Sequence, residues 1–158
     1  MSKNRYLVAF TMLCLSLLPA VATSDNATTL KEIMQGLRND FVRIGDGLLH
    51  DNFAEIAAGA RGIAEHPRIP PDQVKRVAAE LGTEMPAFKQ MDKRVHDLSL
   101  RILSAAESSE AEQALQGFLE MTEGCLACHA NYKERVAAVL SETESVQSED
   151  LGEQAGSE

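Results

Sequence analysis

The chain has 158 residues, 24 of them acidic and 15 basic, for a net charge of −9 at neutral pH. That is one domain's worth of sequence. A surface this acidic is repelled by nucleic acid and by anionic lipid, and it favours basic partners.

The N-terminus, "MSKNRYLVAFTMLCLSLLPAVATSD", carries Lys3 and Arg5, then an apolar run from Tyr6 to Leu18, then the small-x-small signal Ala20-Val21-Ala22. This is the layout of a cleaved secretory leader. The run is shorter than the ~20 residues a helix needs to span a bilayer. We expect residues 1–22 to be a signal peptide and the protein to reach the periplasm. Cleavage removes Cys14 and leaves 13 basic residues against 24 acidic ones, a net charge of −11. Only Cys125 and Cys128 remain.

No segment alternates with the period of a strand. The first helical segment is "TTLKEIMQGLRNDFVRIGDGLLH". Its apolar positions Leu30, Met34, Leu37, Phe41, Ile44 and Leu48 follow steps of 4, 3, 4, 3 and 4, the seam of a helix bundle. Thr28 or Thr29 can cap its start, and Glu32 stands three residues after Thr29, as in a capping box. A second segment, about Asp51 to Glu65, is rich in Ala and Gly, which lets a neighbouring helix approach closely. "HPRIPPD" breaks the chain at Pro67, Pro70 and Pro71. "DQVKRVAAEL" then predicts a short helix ended by Gly82.

A long helix begins near Thr83 and Pro86, with the seam Phe88, Met91, Val95, Leu98, Ile102 and Ala105. The last helix starts at "SSEAEQ", where Ser109 and Glu112 form a second capping-box pattern. Its expected seam is Leu115, Phe118, Thr122, Cys125, His129, Tyr132, Val136 and Val139, which puts Cys125 and His129 on the buried stripe. Residues 141–158 hold six acids and no base and read as a disordered acidic tail. The expected fold is all-α, an antiparallel four-helix bundle over residues 23–140.

The cluster "GCLACHANY" carries the chemistry. Cys125, Cys128 and His129 form Cys-x-x-Cys-His, the attachment pattern of a c-type haem. Two thiols three residues apart share one helix face and suit the two vinyl groups on one porphyrin edge, while the adjacent imidazole binds the iron. Three rivals exist. A thioredoxin-like redox pair belongs after a strand. A zinc site needs two further ligands, and no second Cys pair or His-x-His group is present. A structural disulfide has no use for His129. The favoured cofactor is one covalent haem c held by Cys125 and Cys128, with His129 on the iron.

For the sixth iron position the candidates include Met34, Met85, Met91, Met121, His50, His66 and His96. Met34 lies in the first two turns of the first helix, at the height of His129 on the antiparallel last helix. It is the expected distal ligand, set against ordinary core filling. Met91 is expected to reach the same neighbourhood. His96, one residue off its seam, reads as a half-exposed flank residue, with support of the haem site or a propionate contact as the alternative, and His50 and His66 read as surface residues. Tyr132 and Arg135 are candidates to pack on the ring or meet a propionate.

Together, the C-terminal Cys-x-x-Cys-His, the following "ANYKER", the third long helix "AFKQMDKRVHDLSLRI" and the preceding amphipathic helices resemble the cytochrome c-prime family over about residues 28–140. Only the haem motif is highly specific; the rest is pattern. The resemblance implies an exported four-helix bundle with one covalent haem. It implies two branches: high-spin members with an apolar residue opposite the proximal histidine, which bind small gases, and low-spin members with methionine there, which carry electrons. "LKEIMQGLRNDFVRI" places Met34 at that position. The stretch is also similar to the first helix of the soluble b-type four-helix cytochrome. The family further implies a homodimer packed through the first two helices as a candidate assembly. The resulting expectation is an electron carrier that is not an enzyme and docks on basic redox partners. Binding of nitric oxide or carbon monoxide is the alternative.

Overall fold

The computed structural model describes residues 28–154; the expected leader and residues 155–158 lie outside them. Five α-helices run in order: α1 Leu30–Leu49, α2 Phe53–Ala64, α3 Pro71–Leu81, α4 Met85–Glu107 and α5 Ala111–Gln154. A 3-10 turn, Gly82–Glu84, joins α3 to α4. No strand occurs among the described residues, so the fold is all-α, as the periodicity requires.

Local chemistry sets the helix ends. The Thr29 side chain accepts from the Glu32 N–H while the Glu32 carboxylate accepts from the Thr29 N–H, a complete capping box. The Asn52 side chain accepts from the Glu55 N–H to start α2, and Pro71 opens the first turn of α3. The second expected capping box is not used as such. Ser109 instead takes a left-handed φ of 57°. Its N–H bonds to the Ala106 carbonyl, and the Glu110 N–H reaches back to Ala105, the Schellman stop of α4. The stretch 141–158, expected to be disordered, continues α5 as far as Gln154. Extending an existing helix costs far less than nucleating one.

The helices α1, α2, α4 and α5 pack in a ring, each against the next, and the seam that closes the ring between α5 and α1 is the most open. Neighbours run antiparallel. Gly47 of α1 abuts Ile56 of α2, and Gly59 of α2 abuts Asp40 and Ile44 of α1. On α5, Gly117 abuts Ile102 and Gly124 abuts Val95 of α4. Arg61 reaches Glu107 at 2.8 Å and ties α2 to α4. The Phe41 and Phe118 rings, with centroids 4.6 Å apart, close α1 on α5.

Two apolar clusters fill the bundle. The lower one, at the end with the α1–α2 and α4–α5 turns, centres on Ile44, Ile56, Ala60, Ile63, Leu98, Ile102, Ala114 and Met121. The upper one gathers Leu30, Val77, Leu81, Tyr132 and Val136. Because α2 is only 12 residues long, it covers the lower half alone, and α3 takes its place above. The α3 side of the upper cluster is fixed by Gln73 Oε1, which accepts from the Leu30 N–H at 2.8 Å. It is fixed again by Arg135 of α5, whose guanidinium donates to Glu80 and Glu84 at 3.0 and 2.8 Å.

The contact of α1 with α2 depends on Gly59. A Cβ there would lie 2.6 Å from the Asp40 carbonyl oxygen and 2.8 Å from Ile44 Cγ1, and backbone cannot step aside as a side-chain tip can. We expect Gly59→Ala to lose about 1–3 kcal/mol, read as a lower urea midpoint with an unchanged slope.

Asp40 provides a pH-dependent test. Burial against α2 pushes its carboxyl pKa upward, partly offset by the Arg43 charge. A raised pKa means that the folded state binds the proton more tightly than the unfolded chain. Stability contributed by Asp40 therefore rises as pH falls through the window above the ordinary aspartate value and is lost as pH climbs past it. Asp40→Asn should equal or exceed the parent in urea midpoint at neutral pH, with the difference shrinking toward acid.

Candidate functional site

The buried stripe of α5 is not the expected one. Ala114, Gly117, Met121, Gly124, Tyr132 and Val136 are buried, whereas Leu115 and His129 are exposed. The stripe has turned toward α4 because glycine and alanine let that helix approach closely, and a count of large apolar residues passes over them. The expectation that His129 lies on the buried stripe is therefore corrected: it stands at the stripe's outer edge. In α1 the same shift buries Ile33 and leaves Met34 40% exposed.

These edges face each other. Phe41 and Phe118 are in direct contact across the α1–α5 seam. Met34 lies seven residues before Phe41, two helical turns along the same face. Cys125 lies seven residues after Phe118 and His129 eleven after it, again on that face. The helices are antiparallel, so both steps lead upward. At ~1.5 Å per residue, Met34 and Cys125 each stand about 10 Å above the aromatic pair, with His129 about 6 Å higher. Above them the seam closes again where Leu30 shares the upper cluster with Tyr132 and Val136. Met34, Cys125, Cys128 and His129 therefore lie between two points where α1 and α5 are pinned.

Cys125 and Cys128 are half-buried free thiols. Cys125 packs on the lower cluster. Cys128 packs on the upper one, as Phe88 and Met91 of α4 also do. Burial pushes the pKa of both thiols upward, and for Cys128 the Asp92 charge of α4 adds to the rise. A redox Cys-x-x-Cys pair needs the opposite, a thiolate stabilised by a cation or a helix N-terminus; these cysteines stand in mid-helix beside an acid. No group of three or more His, Cys, Asp or Glu suited to a metal ion occurs among the described residues, which leaves a zinc site without ligands. His129 makes no hydrogen bond or ion pair among the described residues, so its ring is free to bind.

The remaining candidates fall away from the cluster. Tyr132 is 6% exposed and meets Phe88 edge-on at 5.4 Å; it is core. Arg135 is committed to Glu80 and Glu84 and is not available to a propionate. Met121 is fully buried in the lower cluster. His96 is exposed, and the His50 ring lies 2.9 Å from the Asp46 carbonyl oxygen. His66 is half-buried, with its ring against the Pro67 carbonyl oxygen.

No family model, curated protein or solved structure matches this chain. The chemical reading rests on the site itself. The donor set fits a c-type haem: two reduced thiols one turn apart, a free imidazole next in sequence, and a thioether on the facing helix where the bundle is most open.

Proposed function

We propose that the chain is an exported monohaem cytochrome that carries electrons, with Cys125 and Cys128 bonded to the porphyrin and His129 and Met34 on its iron. The observation that carries this is the Phe41–Phe118 contact, which puts a thioether and an imidazole on opposing helix faces at adjoining heights. The haem supplies the one-electron chemistry. The protein's part is geometric and dielectric. Cys125, Cys128 and His129 would hold the group from one rigid helix, and Met34 would hold it from the facing one. Apolar residues from both clusters keep water from the ring, and histidine–methionine ligation raises the reduction potential. No residue has to bind or turn over a substrate, so the chain is not an enzyme in this reading.

The partner is a redox protein with a basic surface. Electrostatic attraction to a mature chain of net charge −11 speeds encounter, and the rate falls as salt rises. The site of action is the periplasm, and the candidate assembly is a homodimer. The partial exposure of Met34 supports a second reading, in which nitric oxide or carbon monoxide displaces a weakly held thioether.

The test is to produce the protein in a host that matures c-type cytochromes and to record its mass and spectrum. The expected product is red, heavier than its polypeptide by one haem, low-spin, and shows the weak near-infrared thioether-to-iron band when oxidised. Colourless protein of polypeptide mass overturns the proposal. A high-spin iron that binds carbon monoxide rapidly hands it to the gas-binding alternative.

A further inference from the structure

We propose that Lys31 and Lys133 hold the two propionates of the haem, one lysine from each wall of the α1–α5 seam; this rests on the haem reading above. Lys31 stands three residues before Met34 and Lys133 four after His129, so each shares a face with the adjacent iron ligand. Both are exposed, and neither has an ion-pair or hydrogen-bond partner among the described residues. Arg135, the next cation along α5, is instead committed to Glu80 and Glu84.

The seam is free of competing acids. The positions three and four residues from Met34 are Leu30, Lys31, Leu37 and Arg38. Those around His129 are Cys125, Leu126, Tyr132 and Lys133. Glu32, whose charge Lys31 feels, is engaged by the Thr29 cap, and Asp92, whose charge raises the Cys128 pKa, belongs to α4 rather than to either wall of the seam. Direction points the same way. Cys128 packs inward against the upper cluster, while His129 lies on the solvent side. A ring bonded along its inner edge presents the opposite edge, with its two carboxylates, to the mouth of the seam. Carboxylates there need water or a cation. An exposed pair adds little to stability, so the lysines serve to orient the ring and to favour the reduced iron by their charge.

The experiment compares mature holoprotein variants Lys31→Gln and Lys133→Gln with Arg68→Gln and Lys75→Gln. The controls remove equally exposed cations outside α1 and α5. The readouts are the reduction potential and the propionate-bending frequencies in the resonance Raman spectrum. The two seam variants should shift the potential downward and move the bending modes, the controls should do neither, and Lys→Arg at each seam position should restore both. Wild-type values in the seam variants, or equal shifts in the controls, overturn the assignment. Either result is obtained on protein that carries haem, and so is distinct from failure of the haem reading, in which the parent itself is colourless.

Discussion

Replacing Cys125 and Cys128 together by alanine should abolish covalent haem completely: the purified chain keeps its polypeptide mass and shows no Soret absorption after denaturation and acid-acetone extraction. The effect is all-or-none because each thioether bond needs a sulfur on the same helix face one turn apart, and the chain without its leader has no other cysteine to substitute. Loss of the two half-buried sulfurs is by itself a modest packing change, because each sits at the margin of an apolar cluster rather than at its centre. The apo variant should therefore retain its helical circular dichroism while losing the ligand's contribution to stability, which acts only on the folded state. The same double variant separates the rivals. If these cysteines formed a plain disulfide, the parent would be the colourless one, and reduction would mimic the substitution.

Replacing Met34 by alanine should leave the haem attached and change its spin state. The oxidised protein loses the near-infrared thioether band entirely, the iron becomes five-coordinate, and carbon monoxide binds rapidly to the reduced form. The potential should also fall, since a thioether favours the reduced iron. Met91→Ala is the informative companion. Met91 is half-buried on α4 against the upper cluster, not on the facing wall of the seam, so its removal should preserve the band and cost only packing. If Met91→Ala removes the band and Met34→Ala does not, the ligand has been assigned to the wrong helix. If neither variant removes it, neither methionine binds the iron.

The three seams read from the sequence fared differently, for a physical reason. The α4 seam closes on Leu98, Ile102 and Ala105 as expected, all of them buried, because its large apolar side chains do meet the core. The α5 seam turned, because that helix approaches α4 through Gly117 and Gly124. Glycine carries no hydropathy signal, yet it decides how near two backbones come. The same turn moved His129 from the expected interior to the outer edge, where an imidazole is free of partners. On α1, Ile33, absent from the expected seam, is buried, while the expected Met34 is 40% exposed.

By itself the sequence determined that the chain is helical, where Thr29 caps it, where proline breaks it, and that two thiols and an imidazole stand together on one helix. These are local matters, set by propensity, capping and a spacing of three or four residues, and they hold whatever the helices do next. Only the tertiary structure decided which helix faces that cluster, at what height, and which cations are left unpaired beside it. Those depend on side-chain contacts between segments far apart in the chain, on the Phe41–Phe118 pair above all, and no periodicity within one helix encodes the rotation of its neighbour.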